Sequence, residues 1–222
     1  FTDHVAQPFK IGFSKVYRAF AERGMHHKIL FNGSGKLGFP EQVLFAFALG
    51  CGATFVARTI DVDAKHMQEV LTRAHQHKGT AFVEILQNCP VFNDGVWEEM
   101  QDRKTRATST INLEQGQPLV FGTPDARKGI VLKNGEPTVI DLAAGEDPIA
   151  KGVVIHDEHA KTSSYAGMLA TLQRPDFPMP VGVFRAVEKA TYEDMLQSQV
   201  DSAIKQRGKG DLKALLHSGD TW

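Results

Sequence analysis

Cysteine is scarce in this 222-residue chain: only Cys51 and Cys89 occur, far apart and with no CxxC. That excludes a disulfide framework and any metal or iron–sulfur site built by this chain's cysteines alone, and it makes a reducing cytoplasm the expected setting. An excess of charge of either sign is missing too. The formal net charge is −1 with a pI near 6.8, so no basic footprint for nucleic acid exists. No apolar run approaches the roughly 20 residues that a membrane span needs. The opening FTDHVAQPFK lacks a basic segment followed by an apolar core, so no signal peptide is expected. It also lacks an initiator Met, which reads as a processed chain or a portion of something longer. What is present is ordinary for a folded domain: 42% hydrophobic residues and no low-complexity linker.

The clearest grammar lies in residues 50–95. An apolar run at 53–60 leads to an acidic turn with Asp61 and Asp63. Residues 64–77 then place Met67, Val70, Leu71 and Ala74 on one helical face, with Lys65, Glu69, Arg73 and Gln76 outside. A second apolar run at 81–86 empties into a polar loop containing Cys89-Pro90. The pattern is strand, helix, strand, loop: a βαβ unit whose ligand edge lies at the carboxyl ends of its strands. Pro90 fixes the backbone beside Cys89 and removes a donor. From the residues alone, Cys89 is a metal ligand, a reactive thiol or an inert buried thiol. Cys51, between Gly50 and Gly52, reads as a small packed residue. His66, His75 and His77 cluster around the helix without i, i+4 ligand spacing, and a structural role is expected for them. Arg58 would serve an anion or pair with Asp61 or Asp63.

Before this block, residues 9–23 carry Phe13, Val16, Tyr17 and Phe20 at helical spacing, and residues 28–32 read as a strand. The loop Asn32-Gly33-Ser34-Gly35-Lys36-Leu37-Gly38 follows, then a helix over 41–49 opened by Pro40. The loop satisfies GxGxxG spacing but not the P-loop. It is either a phosphate cradle, with Asn32, Gly33, Ser34 and Gly35 as the cofactor-binding candidates, or a βα turn that needs glycine for positive φ. After the block, residues 96–106 suggest a short charged helix. Runs at 110–113, 119–121, 129–132 and 138–142 are β-like, with Asn134-Gly135 a strong hairpin signal. A serine-capped helix is expected at 165–172 with Tyr165, Leu169 and Leu172 inward. An extended proline segment (Pro175, Pro178, Pro180), a strand at 181–187, a Thr191-capped helix at 192–207 and a short helix at 211–217 complete the chain.

These elements divide the chain into residues 1–50, a βαβ core at 51–106 with the Cys89 loop, a small β appendage at 107–145, and a C-terminal strand with a helical tail at 146–222. The fold class is α/β with an open sheet.

The segments GATFVAR, HQHKGTAFVEILQNCPVFNDG, LVFG, YAGMLATLQRPDFPMPVGVFRAV, TYEDML and LLHSGDTW, in that order, resemble the β subunit of 2-oxoacid:ferredoxin oxidoreductases, nearest to the 2-oxoglutarate branch. The resemblance runs from about residue 50 to residue 222. It implies the C-terminal part of a thiamine-diphosphate-binding type of open sheet. The implied activity is oxidative decarboxylation of a 2-oxoacid to acyl-CoA, with thiamine diphosphate, Mg²⁺ and a [4Fe–4S] cluster as cofactors. The implied partners are an α subunit with its γ-like region, ferredoxin and CoA. In that family four cysteines hold the cluster, and Cys89 stands at the position of the fourth. The family's CxGCG region, its other N-terminal cysteine and its GDGD motif have no counterpart in this sequence.

Residues 1–50 instead resemble an FMN-binding glutamate-synthase-like domain, in which the GSGKLG loop would belong to a flavin-binding βα unit. Three readings follow: a subunit of the oxidoreductase, a non-catalytic assembly subunit of such a complex, or an FMN protein acting through residues 1–50.

Overall fold

The structure is a computed structural model that describes residues 18–19, 22–23, 48–91 and 94–219. The strand expected at 28–32 and the glycine loop with Asn32, Gly33, Ser34 and Gly35 lie outside the described residues. So do most of the helices expected at 9–23 and 41–49. The chain divides into two compact units, Phe1–Val187 and Glu188–Trp222.

The first unit is α/β and is organised around β1 (Phe55–Ile60), whose six residues are all buried. Alternation along this strand sends Phe55 and Ala57 to one face and Val56 to the other. Helix α1 (Ala64–Gln76) covers the first face, where Val70 and Ala74 pack against Phe55, Ala57 and Val183. The Asp63 side chain caps α1 by accepting from the His66 amide at 3.2 Å, which satisfies an otherwise unpaired first-turn donor. β2 (Ala81–Leu86) returns parallel to β1, completing the expected βαβ unit.

Where a charged helix is expected at 96–106, the structure has one short turn inside that range and a second that begins at its last residue. They are α2 (Glu98–Gln101) and α3 (Arg106–Ser109). The break falls where Asp102 accepts from the Lys104 amide at 3.0 Å and Thr105 donates its hydroxyl to the Glu99 carbonyl at 2.7 Å. Such bonds compete directly with helix propagation.

Of the four β-like runs expected between 107 and 145, β3 (Thr110–Leu113) joins the main sheet. The others form a separate antiparallel sheet of β4 (Val120–Thr123), β5 (Ala126–Lys133) and β6 (Glu136–Leu142). Asn134 and Gly135 link β5 to β6 with φ of 54° and 85°, the two left-handed positions of a type I′ turn. This small sheet shares the main core: Leu119, Ile130 and Leu142 belong to the same apolar cluster as Val56, Ile111 and Phe184.

Helix α4 (Ser164–Thr171) contributes the fully buried Leu169, with Leu172 just beyond its end. Ser163 occupies its N-cap position without a side-chain cap bond. Proline-containing residues 174–176 form a turn rather than an extended segment, and the Phe177 amide closes back on the Gln173 carbonyl at 2.9 Å.

β7 (Met179–Ala186) then inserts between β1 and β3, antiparallel to β1 and parallel to β3, giving a mixed sheet in the order β2-β1-β7-β3. A bulge shifts its register between the pairs Val56–Arg185 and Ala57–Val183. Gly182 has φ +125°, and a Cβ there would sit 2.7 Å from the Leu113 carbonyl oxygen. Only glycine permits this close approach.

The second unit contains α5 (Tyr192–Arg207) and α6 (Leu212–Leu216). Thr191 and Asp194 close a reciprocal capping box at the start of α5, and Gly208 ends it at φ +81°. Neither helix has a buried residue.

Candidate functional site

Because β1 and β2 are parallel, their carboxyl ends share one edge: Ile60 stands opposite Leu86, and the Asp61 amide donates to the Leu86 carbonyl at 3.1 Å. From β2 the chain enters the loop that holds Cys89. Asn88 ties the two ends of that loop together. Its Nδ2 donates to Asp94 Oδ1 at 3.0 Å, and its Oδ1 accepts from the Gly95 amide at 2.9 Å. Cys89, the next residue, is a free and half-buried thiol. Ile60, Leu86, Trp97, Met100, Met179 and Val181 form an apolar cluster at the same end of the sheet.

The neighbouring helical turns are fastened to this edge. Gln101 donates to Asp61 at 3.0 Å. Arg106 donates to the carbonyls of Met100 and Gln101 at 2.8 and 2.9 Å and reaches Asp63 at 3.5 Å. A planar guanidinium suits this work, since its fork satisfies carbonyls that a short helix leaves unpaired.

Chemically, the loop offers one thiol of intermediate exposure on a braced turn, an arrangement that suits a single thiolate ligand. No group of three or more His, Cys, Asp or Glu side chains that could hold a metal ion occurs among the described residues. An iron–sulfur cluster needs four ligands, so the described residues supply one donor and do not hold a cluster by themselves. Nor do they present a set that fits thiamine diphosphate with Mg²⁺. The cofactor candidates Asn32, Gly33, Ser34 and Gly35 are outside the described residues, as are Phe92 and Asn93 of the Cys89 loop. Cys51 is exposed rather than packed.

Among the described residues, Arg58 pairs with neither Asp61 nor Asp63. It is buried and pairs with Glu84, its directly opposed residue on β2, at 2.5 Å. Its guanidinium also lies 5.3 Å from the Phe184 ring centre. His66 and His77 serve the fold, each sharing a hydrogen bond at 2.8 Å with a threonine hydroxyl, Thr59 and Thr54 respectively.

A second polar centre escaped the sequence reading. His156 is buried, with Nε2 2.8 Å from the Val183 carbonyl and Nδ1 3.1 Å from the Tyr165 hydroxyl. A carbonyl can only accept, so Nε2 carries the proton, and Nδ1 of the neutral ring accepts from Tyr165. Burial holds the His156 pKa below its ordinary 6.5 and pushes the Tyr165 hydroxyl up to about 12. Two residues on, buried Glu158 pairs through Oε1 with Arg73 at 2.6 Å, while its Oε2 has no hydrogen-bond partner among the described residues. Arg185 holds the following turn by donating to the carbonyls of Ala160, Lys161 and Thr162. The signal was the polar run His156-Asp157-Glu158-His159, but Arg73 on α1 and Val183 on β7 are distant in sequence, and only Tyr165 on α4 is near.

No family model matches the chain. It is 36% identical over 180 residues to the KorB subunit of a 2-oxoglutarate oxidoreductase from Mycobacterium tuberculosis, covering 80% of this chain and 47% of that subunit. It is 42% identical over 59 residues to a 2-oxoacid:ferredoxin oxidoreductase β subunit of Saccharolobus solfataricus, covering 27% of this chain and 19% of that one. Among solved structures, a 2-oxoglutarate:ferredoxin oxidoreductase from Magnetococcus marinus, with 2-oxoglutarate, coenzyme A and succinyl-CoA bound, aligns with 80% of this chain and 44% of that chain. The TM-score is 0.48 at 18% identity.

The chain is thus similar to subunits of 2-oxoacid:ferredoxin oxidoreductases, which are oxidoreductase enzyme complexes. Its match spans about half the length of the M. tuberculosis subunit.

Proposed function

We propose that this chain works as β-subunit material of a 2-oxoacid:ferredoxin oxidoreductase, with 2-oxoglutarate as the favoured substrate, in the cytoplasm. The net reaction takes a 2-oxoacid, CoA and two oxidised one-electron ferredoxins to acyl-CoA, CO₂, a proton and two reduced ferredoxins. The partners are an α subunit with its γ-like region, ferredoxin, CoA and the 2-oxoacid. The observation that carries the reading is the 36% identity to KorB across four fifths of this chain. The braced Cys89 loop at the sheet's carboxyl edge accords with it.

Within that reading Cys89 gives one thiolate to an iron–sulfur cluster, and Asn88 keeps the loop ends closed so that the thiol is presented in one geometry. The remaining ligands, and the groups that would hold thiamine diphosphate and Mg²⁺, come from outside the described residues.

The test is to purify the native complex through a tag on this chain, supply CoA and ferredoxin, and follow ferredoxin reduction on adding 2-oxoglutarate. Reduction that depends on both 2-oxoglutarate and CoA is the expected result. A stable complex that fails to reduce ferredoxin whichever 2-oxoacid is supplied would contradict the reading and favour an assembly role.

A further inference from the structure

One face of α5 has a symmetry that its own unit does not use. Along that face stand Glu193, Leu196, Val200, Ile204 and Arg207, at successive spacings of three, four, four and three residues. Fourteen residues over four steps average about 3.5, the repeat of a helix that keeps one seam against another. The three apolar positions are exposed by 46%, 43% and 44% respectively, and no residue of α5 is buried. The face reads the same in both directions about Val200, except that its ends carry opposite charge. Asp194, Asp201 and Lys205 occupy the other side of the helix, where solvent suits them.

We propose that α5 pairs antiparallel with α5 of a second copy of this chain, about a twofold axis at Val200. In that arrangement Val200 meets its own counterpart and Leu196 meets Ile204. Glu193 at one end meets Arg207 at the other, and the pair occurs twice. Antiparallel packing also opposes the two helix dipoles. A twofold contact must be self-complementary, and this face meets that condition in both hydrophobicity and charge. A parallel pair would instead set Glu193 beside Glu193 and Arg207 beside Arg207, placing like charges at both ends. The capping box and Gly208 bound the helix at 16 residues, about 24 Å long, so the seam occupies nearly its whole length. The inference goes beyond the proposed function and does not depend on it.

The test uses the full chain with Cys51→Ser to remove the exposed native thiol. Under mild oxidation Val200→Cys should give a disulfide joining two copies through the introduced thiols, located by peptide mapping. Ser198→Cys, on the opposite side, should not. In sedimentation equilibrium, Glu193→Arg or Arg207→Glu alone should weaken self-association about tenfold, and the two together should restore it. The proposal is overturned if Val200→Cys gives no such disulfide, or if the charge swap fails to rescue association. It is also overturned if Val200→Asp releases a different subunit while self-association is unchanged. Because these positions are exposed, unchanged urea unfolding of the variants separates lost pairing from lost folding.

Discussion

Arg58 on β1 and Glu84 on β2 face each other directly across the parallel register, their side chains 1% and 10% exposed and their Nε and Oε2 atoms 2.5 Å apart. The central strand thus carries a cation among residues that are otherwise apolar or small. It is neutralised by the neighbouring strand of the same βαβ unit, and the Arg58 Nη1 also reaches the Met179 sulfur at 3.0 Å.

Removing one member takes from the other, in a poorly solvated place, the ion pair it makes across the two strands. Glu84→Gln or Arg58→Ala should destabilise the protein by about 3–5 kcal/mol. The paired replacement Arg58→Met with Glu84→Leu should cost clearly less than either single change. Urea unfolding of the three variants checks this; equal or additive losses would show that the pairing is not what binds these two residues.

His156 sets a pH limit on stability. Its folded pKa lies below 6.5, with burial the largest cause. The Val183 carbonyl and the charges of Glu158 and Asp157 work against that shift, and Arg73 reinforces it. Below pH 6.5 the unfolded chain therefore binds a proton that the folded chain resists. Stability is fully present above that value and declines as pH falls from 6.5 toward the folded pKa. His66 is shifted in the same direction and adds to the decline. His156→Gln should flatten, without abolishing, the fall in unfolding free energy between about pH 7 and 5. A slope identical to that of the unaltered protein would remove His156 from the explanation.

Gly182 allows β7 to pass close to β3. Gly182→Ala meets both a left-handed φ of +125° and a 2.7 Å approach to the Leu113 carbonyl. A loss of roughly 2–3 kcal/mol is expected, since neither conflict relaxes without moving a central strand. A glycine with open space around it provides the control. Gly167→Ala within α4 should be neutral or stabilising by up to about 1 kcal/mol. Thermal unfolding measures both.

Local chemistry was the legible part of this fold. The βαβ unit follows from the change between strand and helix periods at residues 53–86, the I′ turn from Asn134-Gly135, and the start of α5 from Thr191. Long-range pairing was not legible. Nothing near Val181 announces that β7 runs antiparallel to β1, and nothing local to β3 says that it leaves the neighbouring β-like runs for the main sheet. The Arg58 partner was misassigned for the same reason, because Asp61 and Asp63 are near in sequence whereas Glu84 is near only once β2 is laid parallel to β1. At the candidate site, Cys89 and its loop were visible as a motif. The bracing by Asn88, Asp94 and Arg106 depends on side-chain directions that spacing does not encode.

Cys89 as a thiolate donor to iron is the proposed role that a single measurement tests most directly. The direct measurement is iron content and visible absorbance of the native complex, purified anaerobically through this chain, for the unaltered protein, Cys89→Ala and Cys51→Ala. Loss of cluster absorbance and iron in Cys89→Ala alone, with the complex still assembled, is the predicted result. Unchanged iron and absorbance in Cys89→Ala would contradict it.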